Sequence, residues 1–147
     1  MQSHLLTLLI ERAKAAYDEA LAQRAQSHQR LRQASEQLHV LSGYAREYQA
    51  RQRAQLQQKA DPAAKINWHA FAGKLDEAMT AQQDEVRARE QQLIAGDRQM
   101  QAARRRLQSL QALAERREAA ARMRARRLEQ KLTDEIARSR RSFPDDL

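Results

Sequence analysis

Apolar side chains recur along this chain in alternating steps of four and three. From residue 6 the series reads Leu6, Ile10, Ala13, Tyr17, Ala20, Arg24, Ser27, Leu31, Ala34, Leu38, Leu41, Ala45 and Tyr48. This is the heptad seam of a helix that packs lengthwise against another helix, and it weakens only at Arg24 and Ser27. A second series runs Phe71, Leu75, Ala78, Gln82, Val86, Arg89, Leu93, Gly96, Met100, Ala103, Leu107, Leu110 and Ala114. It then shifts toward Ala121, Ala125, Leu128, Leu132 and Ile136, so a stutter is expected near 114–121.

Turn chemistry gathers between the two series, in KADPAAKIN at 59–67. A proline crowds the residue before it, so Asp61 ahead of Pro62 disfavours a continuing helix. Asn67 is placed to cap a second helix, with Ile66 and Phe71 at the two positions of a hydrophobic staple. The expected fold is all-α, a long two-helix antiparallel coiled-coil hairpin in one domain over 1–147. Helix one is expected over about 3–59, the turn over about 60–66 and helix two over about 67–140, followed by a short C-terminal tail. If residue 59 faces residue 67, residue 48 lies near 78, 44 near 82 and 3 near about 123. About 17 residues of helix two then project, and at about 1.5 Å per residue the hairpin is a rod roughly 80 to 110 Å long.

Composition narrows the picture further. The chain holds 28 Ala, 22 Arg and 20 Gln against six aromatics, so no strand is expected and the apolar surface is a narrow seam rather than a ball. Gly43, Gly73 and Gly96 each cost a helix interior about 1 kcal/mol relative to Ala. Gly43 and Gly73 lie near Tyr44 and Phe71, where a partner approaching the backbone closely could use a missing side chain. The absence of cysteine excludes disulfides and thiolate metal sites. The patch LLTLLI at 5–10 is too short for a signal sequence, and no stretch is long enough to span a membrane. A soluble cytoplasmic protein is therefore expected.

Catalysis finds no support. A two-helix hairpin offers no enclosing cavity, and the chain has no Gly-rich phosphate loop or nucleophile elbow. Glu36 and His39 match half of a di-iron bundle site, but the second half is missing, so neither metal nor cofactor is expected. Charge is uneven along the chain. Residues 98–141 carry fourteen basic and five acidic groups, while residues 61–97 carry four and seven. The distal part of helix two should therefore attract an acidic surface. Nucleic acid fits poorly, because acidic residues interleave with the arginines and no aromatic lies between 72 and 142 to stack on a base. Direct membrane insertion is not expected either, since the distal helix has few bulky apolar residues.

Leu41, Tyr48, Phe71 and Leu75 are expected to serve as seam core, but Tyr44 lies one step off the seam beside Ala45, and an aromatic left on a charged helix suggests a contact elsewhere. Gln37, Leu41, Tyr44 and Tyr48 form one stripe, and Phe71, Leu75, Ala78 and Gln82 repeat the spacing. The segments QLHVLSGYAREYQ (37–49), INWHAFAGKLDEAMTAQQ (66–83) and ARMRARRLEQKLTDEIARSRR (121–141) resemble three signatures of the FliJ family of flagellar export proteins. The resemblance implies a non-catalytic, cytoplasmic component of type III protein export, peripheral to the inner membrane at the flagellar base. Its hairpin would enter the ring of the hexameric export ATPase like a rotary-ATPase stalk, contact the export gate membrane protein and engage export chaperones. It further implies that Gln37, Leu41, Tyr44, Tyr48, Phe71, Leu75, Ala78 and Gln82 form the gate-binding surface. Arg127, Glu129, Gln130, Lys131, Asp134 and Glu135 would enter the ATPase. Two alternatives stand beside it: the equivalent stalk of a virulence type III secretion system, and a basic coiled-coil nucleic-acid-associated protein.

Overall fold

The structure, a computed structural model of the chain, describes residues 2–56 and 61–142. It is all-α, a hairpin of two long helices, α1 over Gln2–Leu56 and α2 over Pro62–Ser142. The expected end of helix one near 59 lies outside the described residues, but the start of helix two is corrected. Asp61 is the N-cap: its carboxylate accepts the Ala63 N–H at 3.4 Å and its carbonyl accepts the Lys65 N–H at 3.3 Å. Pro62 occupies the first helical position, where its fixed φ suits a helix and its missing N–H costs nothing. Asn67 therefore lies inside α2 rather than capping it. Ile66 and Phe71 are both exposed, so they do not form the expected staple.

The contacts fall into two compact units, Ala16–Ala103, and Met1–Ala15 with Arg104–Leu147. In the first, α1 and α2 run antiparallel, with Tyr48 against Trp68 and Phe71, Gln82 against Ala34 and Gln37, and Arg24 against Asp97. Residues 48 and 82 thus meet 68–71 and 34–37, seven to ten positions from the expected 78 and 44. The displacement accompanies the early start of α2 at Pro62 rather than near 67, which draws the second helix back along the first by a heptad or more.

The seam is thin. In the 16–103 unit Ala20, Ala34 and Met100 are buried, and Leu31, Leu38, Leu41, Val86 and Leu93 are half-buried. Alanine buries little apolar area, but its small side chain lets the neighbouring helix come close. The weak point of the first series meets a matching gap in the second. A methyl group placed on Gly96 would lie 3.8 Å from the Arg24 Cα and 3.9 Å from Ser27 Oγ, so the helices are close where no apolar side chain stands between them. Arg24, displaced from the seam, reaches Asp97 at 3.0 Å. Both side chains are well exposed, so this pair stabilises by about 0.2–1 kcal/mol and chiefly fixes alignment.

The second seam is corrected near the connection. Phe71 and Ala78 are exposed, and Trp68, Ala72, Leu75 and Met79 are half-buried. Strict three-four alternation counted backwards from Gln82 reaches these four residues, whereas Ala78, Gln82 and Val86 require two steps of four in succession.

In the unit of 1–15 and 104–147, Leu6 and Ala13 are buried, and Ile10, Leu107, Leu110 and Ala114 are half-buried. Every described residue from Glu115 to Ser142 is exposed, including Leu128, Leu132 and Ile136. Leu128, Leu132 and Ile136 lie in the part of helix two expected to project, and the shifted series that runs through them is uncovered. With 81 residues in α2 and only 55 in α1, the later part of α2 has no counterpart to pack on. Continuous exposure begins at 115 rather than near 124, for the same reason that moved the register.

The glycines test this packing. Nothing lies within 4 Å of a Cβ added at Gly43, so Gly43→Ala should raise stability to urea by about 0.5–1 kcal/mol. Gly96→Leu should lower it by about 1–3 kcal/mol through overpacking against Arg24. Helicity followed through urea unfolding reads both, and equal effects at the two sites would contradict the close approach at Gly96.

Candidate protein-docking strip

The register assembles the first candidate surface. Gln82 holds a seam position, where a half-buried polar side chain needs partners. Its amide donates to the Ala34 carbonyl at 3.0 Å and to Gln37 Oε1 at 3.2 Å. At the other limit of the strip the Tyr48 ring lies 4.7 Å from Phe71 and 4.3 Å from Trp68, centroid to centroid. The Tyr48 hydroxyl donates to the Trp68 carbonyl at 2.8 Å, which satisfies its polar tip while the ring packs between the helices.

Contacts 37–82 and 48–71 define one register, and it sets 41 opposite 78 and 44 opposite 75. The eight residues expected to form a gate-binding surface are thus four cross-helix pairs, although the individual partners differ from those expected. Leu41, Tyr48, Leu75 and Gln82 form the half-buried inner line, and Gln37, Tyr44, Phe71 and Ala78 the exposed edge. Tyr44 is 60% exposed and Phe71 51%, so Tyr44 is not core. Val40, which the heptad pattern does not single out, adds to the exposed apolar surface and lines a shallow groove with Gln33, Glu36 and Gln37. Trp68 is a further anchor that the second series omits, though strict alternation points to it.

The second candidate set belongs to the other unit. Arg127, Glu129, Gln130, Lys131, Asp134 and Glu135 are all exposed on α2, in the unit of 1–15 and 104–147. Leu128, Leu132 and Ile136, spaced by four, run between them as an exposed apolar line. Among the described residues no group of three or more His, Asp or Glu side chains is placed to hold a metal ion. No described helix is long and apolar enough to cross a membrane.

The family model described as flagellar FliJ protein matches residues 2–142. The chain belongs to the FliJ family. It is accordingly a protein associated with flagellar export. No curated protein matches the chain.

In this FliJ-family chain, burial raises the Tyr48 phenol above its ordinary value of 10.0. The folded state therefore holds that proton more tightly, and the resulting stability is fully present below pH 10 and lost as pH climbs through the raised value. Tyr48→Phe should lower Tm by several degrees at neutral pH through loss of the hydrogen bond to Trp68, and Tyr48→Ala should lower it further. Tyr48→Phe should also lose less stability than the parent between neutral pH and pH values above 10. Thermal melts over that range decide it; parallel pH profiles would show that the Tyr48 hydroxyl is not sequestered.

Proposed function

We propose that the chain is a non-catalytic stalk of the flagellar export apparatus that links the export ATPase to the export gate and to export chaperones. The observation that carries this reading is the alignment of eight residues from two helices into one strip with Tyr44 and Phe71 exposed at its edge. The gate's cytoplasmic part would cover that strip. Exposed aromatics supported by neighbouring side chains are the usual anchors of an interface, each worth about 1.5–3 kcal/mol when buried. Because Tyr48 and Phe71 are already in contact, little side-chain freedom remains to be lost on binding.

The ATPase would take the distal part of α2. Its exposed line of Leu128, Leu132 and Ile136, flanked by Arg127, Glu129, Gln130, Lys131, Asp134 and Glu135, offers apolar contact with a charged border. The excess of basic groups over residues 98–141 favours an acidic surface on that partner. This assigns the two partners to separate parts of the sequence, one within 37–82 and one within 127–135. The apparatus would hold the protein at the cytoplasmic side of the membrane without insertion of the chain.

Two measurements test the assignment. Tyr44→Ala combined with Phe71→Ala should leave helicity unchanged and weaken binding to the gate's cytoplasmic part by about tenfold or more. Unaltered affinity in that titration removes the strip from the interface. Truncation after Met123 should abolish co-purification with the export ATPase while the 16–103 unit stays folded; undiminished ATPase recovery would remove the distal helix from the contact.

A further inference from the structure

The exposed edge of the strip lies on one side of the seam, while Tyr48 and Leu75 of its inner line are also reached from the other. On the other side, Ser42 and Arg46 of α1 and His69, Gly73 and Asp76 of α2 rim a shallow groove. Its floor is apolar, with Leu75 and Met79 at the base. At about 100° per residue, Ser42 and Arg46 lie across the seam from Tyr44, as Gly73 and Asp76 lie across it from Phe71 and Ala78.

Charge separates the two sides. Arg46 lines the groove, Arg53 continues the face two turns on from Arg46, and Lys65 of α2 lies one turn before the groove residue His69. Among the described residues, Asp76 is the one acidic side chain in the lining. Arg46, Arg53 and Lys65 take part in no ion pair among the described residues; Arg46 instead donates to the Ser42 carbonyl at 3.4 Å. On the strip side, Glu36, Glu47 and Glu85 are balanced by Arg51, Lys74 and Arg89, the last paired with Glu85. The groove face is therefore basic where the strip face is not.

The floor and rim together define what would fit. A groove between two packed helices, apolar at its base, accommodates a third helix. Ser42, Ala45 and Gly73 are small enough for that helix to sit low. Nothing in the chain lies within 4 Å of a Cβ added at Gly73, so no internal contact requires glycine there. We propose that this groove is a second docking face, which takes one acidic amphipathic helix of a partner protein. The charge complementarity selects an acidic helix over a basic one.

The test uses the full chain and a labelled synthetic helix of about three heptads, leucine and alanine on one face and glutamate on the other, with a lysine counterpart as control. Fluorescence anisotropy reads binding. The glutamate peptide should bind at least about tenfold more tightly than the lysine peptide. Gly73→Met fills the groove without changing charge and favours the helix, and it should weaken glutamate-peptide binding by about tenfold. Tyr44→Ala with Phe71→Ala should leave that binding within about twofold, so the outcome is independent of the gate assignment. Failure of the glutamate peptide to bind, equal binding of both peptides, or binding indifferent to Gly73→Met would overturn the proposal; the last would assign the peptide to another basic surface, such as the distal part of α2.

Discussion

The alignment of α2 along α1 is the constraint on which the candidate strip depends. It is fixed close to the connection: Asp61 caps α2 one residue before Pro62, and Tyr48 packs between the helices with its hydroxyl on the Trp68 carbonyl. A slip of one heptad would preserve most of the apolar seam, because alanine and leucine recur at the same spacing throughout. The polar and aromatic contacts are what distinguish one heptad from the next. Gln82 finds both Ala34 and Gln37 in one alignment only, and Arg24 meets Asp97 where Gly96 leaves room for the α1 backbone.

This division of labour explains the composition. A seam built on Ala13, Ala20 and Ala34 buries little area per residue, so stability must be spread along many turns rather than concentrated in a core. Such a seam tolerates polar residues where they are partnered: Arg89, half-buried, donates from Nε to Glu85 at 2.8 Å. It also leaves both sides of the helix pair accessible, which a thicker core would not. The eight-residue strip and the groove of Ser42, Arg46, His69 and Gly73 are two faces of one narrow packing arrangement.

Much of the fold was legible because heptad periodicity is a long-range average. The first series holds from Leu6 to Tyr48, with only Arg24 exposed. What failed was local. The Asp-Pro pair reads as the end of a helix, when the same two residues start one: an N-cap and a first-turn proline satisfy the same steric rule. From that misplaced start follow the wrong cross-helix partners and the expectation that the projection begins near 124. Leu128, Leu132 and Ile136 carry a heptad-like pattern, yet periodicity shows only that a face is apolar, and the length of the opposing helix decides whether it is covered. The strip itself was legible as two stripes, since spacing alone places Tyr44 with Gln37 and Phe71 with Gln82. That the stripes meet as 37–82 and 48–71 pairs required the register.

The register is also the most direct test of the account. The chain has no native cysteine, so pairs of spin labels can be placed without interference. Labels on Gln37→Cys with Gln82→Cys, and on Tyr44→Cys with Gln82→Cys, give two distances by pulsed electron resonance. The structure predicts the shorter distance for the first pair, with the second longer by up to about 10 Å, the rise of seven helical residues. A shorter distance for the second pair would contradict the register and dissolve the strip.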